Sequence, residues 1–293
     1  MNLQQHHPEP DNPLGISGIE FIEYATARPL VFGALLEQMG FVAIARHRSR
    51  EVTLYRQGSM NIIVNADPAA LPPADNAPQS TVISAIALRV RDADAAYRHT
   101  IAMGAWGIQT RAGVMELNIP GVHGVGDSIL YFVDRVRDFS IYDVDFKALP
   151  QVDPAPPALA GMHFFGVVQT IGRERTPEWI DFYQQLMDFR PLPEGRFFGV
   201  LPKGMLLESP CHSFYLQLIE PPEGAAGLQW DEQLVRIGIG APDVPAAVRS
   251  LQQRGIVFVD RAAAGASEKG ALTQLYTGGI CFELVVSHPE HTA

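Results

Sequence analysis

The 293-residue chain predicts an α+β fold of two domains, each made of two strand–helix–strand modules, four modules in all. Three observations carry this. One alternating strand, one helix and then further strands recur four times along the chain. Two of the module openings match each other residue by residue. A proline-rich segment divides the four copies into two pairs.

The first copy opens on the strand GIEFIEYA, continues through a helix over 28–39, and closes on FVAIARH, VTLYRQG and MNIIVNA. Runs of this length, rich in β-branched and aromatic residues, read as strands. The second opens on ISAIALRV, carries an alanine-rich helix over 92–103 and closes on SILYFVD. The stretch LPQVDPAPPALAG then breaks the pattern, and its prolines mark a linker over 149–160. The third copy begins MHFFGVVQ, has a helix over 177–187 and closes on SFYLQLIEPP. The fourth begins LVRIGIG, has a helix over 244–254, and closes on IVFVD and ICFELVV.

The openings of copies two and four superimpose: IALRVRDADAAY lies over IGIGAPDVPAAV, with Asp and then Ala-Ala at the same offsets. Repetition of that kind implies modules that bury a shared face. The organisation expected is a disordered lead-in over 1–12, a first domain over 13–148, the linker, and a second domain over 161–293.

Composition narrows the function. Apolar residues make up 47% and charged residues 18%, enough for a substantial core, and the formal charge of −10 argues against nucleic acid, which needs basic patches. No apolar run reaches membrane-spanning length, so no membrane partner is expected. The polar start MNLQQHHPEPDNP is no signal peptide, and two cysteines, Cys211 and Cys281, make no disulfide framework; a cytoplasmic location is the expectation.

One strand carries an anomaly. In LVRIGIG, Val235, Ile237 and Ile239 alternate, so Leu234, Arg236, Gly238 and Gly240 share the opposite face. An arginine between glycines there either points out to solvent or lines a cup. The residues alone leave both readings open.

Several segments have a familiar look. NPLG, HRSREVTLYRQGSMNIIVN, PGVHGVG and IYDVDF resemble the 4-hydroxyphenylpyruvate dioxygenase family, and are similar to the related domain fused to some bacterial 3-dehydroshikimate dehydratases. Both belong to the vicinal oxygen chelate superfamily, whose glyoxalase-like open barrels are built from paired βαβββ modules. The resemblance runs from Asn12 to about Val286 and is closest in the N-terminal half. It implies a non-catalytic first domain, subunits that assemble as a homo-oligomer, and a second domain whose cup binds Fe(II) through two histidines and one glutamate. That arrangement leaves coordination positions for a 2-oxo acid and O₂.

Carried onto this chain, His163 in GMHFFG matches the first histidine and Glu283 in ICFELVV the glutamate. The second histidine position is Arg236. Arginine is always protonated and offers no lone pair to a metal. At roughly 5 Å and an effective dielectric of about 20, a divalent ion and a guanidinium repel by about 7 kcal/mol. The same arithmetic makes Arg236 a strong partner for Glu283. YLQLIE closes the third copy as CFELVV closes the fourth, which lays Gln217 over Glu283; His163, Gln217 and Glu283 are the candidate ligands of any metal that is kept. Gln274 in LTQLY matches a glutamine beside the family's iron and joins Arg236 as a candidate ligand-binding residue. Each has a plainer alternative: His163 as a backbone-bonded core histidine, Gln217 as a hydrogen-bond partner of Arg236. A Glu283 between Phe282 and Leu284 is expected to face inward and be paired.

Two functions follow. One is a 4-hydroxyphenylpyruvate dioxygenase-like protein with an altered iron site, acting on or binding a small aromatic or 2-oxo acid. The other is a metal-free ligand-binding, sensor or accessory protein in which Arg236 clamps a carboxylate, a pairing whose geometry is bidentate.

Overall fold

Residues 18–65 build a first module of β1 (Gly18–Thr26), α1 (Pro29–Gln38), β2 (Val42–His47), β3 (Val52–Gln57) and β4 (Met60–Asn65), with β1 and β4 buried at nearly every residue. The second holds β5 (Thr81–Arg89), α2 (Ala93–Ala102), β6 (Gly121–His123) and β7 (Ile129–Val133), followed by α3 (Ile141–Asp145) and β8 (Phe146–Ala148). The third holds β9 (His163–Thr170), α4 (Thr176–Met187), β10 (Arg190–Pro191), β11 (Met205–Glu208) and β12 (Tyr215–Ile219). The fourth holds β13 (Gln233–Ala241), α5 (Val244–Gln253), β14 (Gly270–Leu272) and β15 (Phe282–Val286). This structure, a computed structural model, describes residues 12–71, 81–108, 117–135, 139–193, 204–224, 230–259, 270–276 and 278–288. The lead-in up to residue 11 lies outside the described residues.

The first two modules form one eight-stranded sheet, ordered β6-β7-β5-β1-β4-β3-β2-β8, and the last two a seven-stranded sheet, ordered β10-β11-β12-β9-β13-β15-β14. One rule generates both. Each module's closing strand returns parallel beside its opening strand: β4 beside β1, β7 beside β5, β12 beside β9, β15 beside β13. The two opening strands of each pair then run antiparallel, β1 with β5 and β9 with β13.

The residue-level repeat has a physical cause. Asp92 and Asp243 are both helix N-caps, and their carboxylates accept from the backbone N–H of Ala95 and Ala246. The second alanine of each pair, Ala96 and Ala247, is buried where the helix meets its sheet. A cap of this type contributes about 1 kcal/mol. Asp92→Ala and Asp243→Ala are each expected to lower stability by about that amount, and the double variant by the sum, because the helices are separate; urea denaturation of the three variants measures it.

The chain departs from the sequence reading in its short elements. PGVHGVG reads as a glycine-rich loop, yet Gly121–His123 pairs with β7. IYDVDF is α3 running into β8, started by a capping box between Ser140 and Asp143. IVFVD forms no strand within the described residues, only an isolated pairing of Phe258 with Thr273, and its last residue lies outside them.

One apolar cluster joins both sheets, running from Ile22, Tyr24 and Phe132 through Val167 to Ile237, Phe282 and Leu284. The other face of the first sheet is closed by a second cluster, in which Ile141 and Phe146 join Phe21, Ile63 and Ala87. The two halves also touch through the glycine-rich loop: Gly126, at φ 51°, lies so close to the Glu232 carbonyl that a Cβ would overlap it. Among the described residues no helix is long and apolar enough to cross a membrane.

Candidate ligand-binding site

β13 lies between β9 and β15 in the second sheet. Its Ile237 and Ile239 enter the shared core, so alternation sends Arg236, Gly238 and Gly240 to the opposite face. That face is not solvent. Arg236 is 8% exposed and Glu283 3%. Strand register explains how they meet: Glu283 on β15 stands directly opposite Gly238, two residues along from Arg236, and Gly238 has no side chain to separate them. Arg236 Nε lies 3.0 Å from Glu283 Oε2.

The pair is close but imperfectly aligned. Arg236 Nε and Nη2 are both buried and make no well-directed hydrogen bond. A buried guanidinium with unused donors is costly, because its desolvation is repaid only when the remaining donors find acceptors. Register carries Cys281 to the position beside Arg236, since Ile237 pairs with Phe282. Burial pushes the Cys281 thiol up, and Arg236 partly offsets this by charge and by hydrogen bonding.

Gln217 is buried on the same face. Val168 on β9 faces Gln217 across one edge and Arg236 across the other, so the three form one row. Two strand spacings set the Gln217 and Arg236 backbones roughly 10 Å apart. Gln274 is exposed just beyond β14, with its backbone N–H donating to Val257.

His163 belongs to the same face but to its far end. It pairs with Gly240, four residues from Arg236, which is roughly 13 Å along the strand. The imidazole lies where a Cβ on residue 240 would otherwise be, so only glycine admits it. Its Nδ1 is 3.1 Å from the Gly161 carbonyl and its Nε2 3.1 Å from Ser287 Oγ. A carbonyl only accepts, so Nδ1 carries the proton and Nε2 accepts from the Ser287 hydroxyl. Burial holds the His163 pKa below the usual histidine value. Ser287 is a site residue that no motif in the sequence signals, because it meets His163 across 124 positions of chain.

The structure therefore brings Arg236, Glu283 and Cys281 together, sets Gln217 in Arg236's row, and leaves His163 turned toward Ser287. A facial triad needs three lone-pair donors converging on one point. Here the guanidinium of Arg236 lies against Glu283, and the lone pair of His163 Nε2 meets Ser287. No group of three or more His, Cys, Asp or Glu among the described residues is placed to hold a metal ion. As arranged, these residues do not fit Fe(II).

Two paired-module sheets, each with its opening strands antiparallel at the middle, define a glyoxalase-like protein of the vicinal oxygen chelate type. A variant of 4-hydroxymandelate synthase from Streptomyces coelicolor shares the fold with a TM-score of 0.70 over 95% of this chain and 94% of that one, at 16% identity. Residues 10–147 match the family described as hydroxyphenylpyruvate dioxygenase, HPPD, N-terminal. The chain is 37% identical over 201 residues to the 4-hydroxyphenylpyruvate dioxygenase of Pseudomonas sp. (strain P.J. 874), covering 67% of this chain and 56% of that protein. It is 33% identical over 266 residues to hemolysin VllY of Vibrio vulnificus, covering 85% and 73%. The chain belongs to the 4-hydroxyphenylpyruvate dioxygenase family, while spanning little more than half the length of the Pseudomonas enzyme it matches.

Proposed function

We propose that this chain is a family member whose C-terminal cup binds a small aromatic or 2-oxo acid without iron, with Arg236 taking the acid's carboxylate. The observation that carries the reading is the buried Arg236–Glu283 pair, 3.0 Å apart, with guanidinium donors left over. A planar guanidinium matches a carboxylate in bidentate geometry. An incoming carboxylate would fill donors that Glu283 leaves unused. Acting on or binding such an acid agrees with what the named Pseudomonas relative does by its title, and a guanidinium, which offers no lone pair to a metal, supports a site without iron.

Binding of phenylpyruvate and of benzoate, measured by isothermal calorimetry, tests this. Removing Arg236 alone would strand Glu283, so the comparison uses Arg236→Met with Glu283→Leu, a pair change that buried ion pairs commonly tolerate. A charge-assisted hydrogen bond contributes about 1.5–3 kcal/mol, so affinity for both acids is expected to fall by roughly 10- to 100-fold. Equal affinity in the folded double variant, or one Fe(II) bound per wild-type chain, would overturn the reading.

A further inference from the structure

Arg236 is not the only departure from a metal-binding arrangement. His163 keeps one property of a metal ligand: its Nδ1–H is anchored on a backbone carbonyl, that of Gly161, which presents Nε2 as a lone-pair donor. Yet the lone pair is not aimed at Glu283. Along β15 Glu283 and Val285 face the cup, with Ser287 one residue beyond the strand's end, and His163 pairs with Gly240, which itself stands opposite Val285. From that level Nε2 reaches forward to Ser287, away from Glu283. The empty side of Gly240 makes the pose possible, because the ring occupies the volume a side chain there would take. Ser287 makes the pose definite: its own backbone N–H is fixed to the Ala241 carbonyl at 3.0 Å, so the hydroxyl is held in place to receive the ring.

We infer that Ser287 and Gly240 are positioning residues that park His163 outside the cup, so that the family's metal set is undone at two places and not at one. The inference rests on the reading of Arg236 as the residue in the metal's position. Gly240 makes the berth and Ser287 ties the ring into it; Arg236 occupies the opposite end. Restoring a histidine at 236 supplies the missing lone pair but leaves His163 facing the wrong way.

The test uses Co(II) as the metal, because its visible ligand-field bands report the ligands directly and need no turnover. Four forms of the 293-residue chain are compared first: wild type, Arg236→His, Ser287→Ala, and the double variant. The hydroxyl-to-imidazole bond is an ordinary one, about 1 kcal/mol, so removing it is expected to tighten Co(II) binding about fivefold in the Arg236→His background. Ser287→Ala alone is expected to bind no Co(II). Adding His163→Ala to the double variant is expected to change the ligand-field bands and weaken binding, and Ser287→Thr combined with Arg236→His, which keeps the hydroxyl, to bind like Arg236→His alone. Near-ultraviolet circular dichroism confirms that each variant is folded.

Equal Co(II) affinity of Arg236→His and the double variant, or bands indifferent to His163→Ala, overturns the parking of His163 and leaves the Arg236 reading standing. Stoichiometric Co(II) in the wild type, lost in Glu283→Ala, overturns the Arg236 reading itself. No Co(II) in the folded double variant overturns the inference that these two places account for the loss.

Discussion

Replacing Glu283 with alanine is expected to destabilise the folded chain by about 3–5 kcal/mol, the usual cost of leaving a buried charge without its partner. Arg236 is 8% exposed, and Glu283 is the carboxylate at its Nε. Arg236 stands opposite Val168 on a strand in the interior of the sheet, and its side chain is buried. Urea denaturation gives the value. The contrast with Arg236→Met combined with Glu283→Leu makes the result interpretable, because exchanging a whole buried ion pair for apolar side chains is often neutral or stabilising. A large loss in the single variant beside little change in the double one says that the pair contributes little net stability. Its retention then has to be sought in what it binds. A loss below about 1 kcal/mol in Glu283→Ala would mean that the guanidinium does not depend on this carboxylate.

Gly126→Ala is expected to cost about 2–5 kcal/mol, with an altered contact between the halves. Two terms add. A residue with a Cβ pays about 1–2 kcal/mol in the left-handed region that Gly126 occupies at φ 51°. The new methyl also meets the Glu232 carbonyl, backbone that moves only by shifting the entry to β13, and overpacking of that kind costs about 1–3 kcal/mol. Thermal denaturation reads the loss. Gly104→Ala is the control: it also lies at positive φ, 96°, but a Cβ there meets nothing within 4 Å. Only the backbone term is expected in that variant, so similar losses at the two positions would show that the Gly126 contact does not matter.

Long elements were legible in the sequence because periodicity averages over many residues. The alternation in LVRIGIG spans seven residues, and the structure extends it by one at each end, to Gln233–Ala241. The four helices agree to within one or two residues at each end, and the Asp-x-x-Ala-Ala repeat identifies two true caps. Short elements were not legible. Arg190–Pro191 and Gly270–Leu272 form strands because a neighbouring strand offers them hydrogen bonds, and two or three residues carry no period of their own.

The site divides in the same way. That Arg236 and Glu283 face inward follows from alternation and from the cost of an unpaired buried carboxylate, both local arguments. The pose of His163 depends on Gly240, on a neighbouring strand, on Ser287, just past the end of β15, and on a bulge between β9 and β13 near Gly238 that shifts which residues stand opposite. Laying one repeat over the other puts Gln217 over Glu283, but pairing sets Gln217 beside Val168 and Glu283 beside Gly238. A ladder register is a property of two strands, and no single segment contains it.

The apolar cluster that crosses from the first sheet to the second has a practical meaning for anyone wishing to borrow the cup. Tyr24 and Phe132 on one side, with Val167 and Ile237 on the other, are each buried to within a few per cent. Severing the chain in the 149–160 stretch would turn both inner surfaces into broad greasy patches of the kind that drive self-association. The cup is therefore not a transplantable cassette. The candidate cup lies on the face of the second sheet turned away from that cluster, so the sheet forming its floor is the one whose other face the first sheet covers.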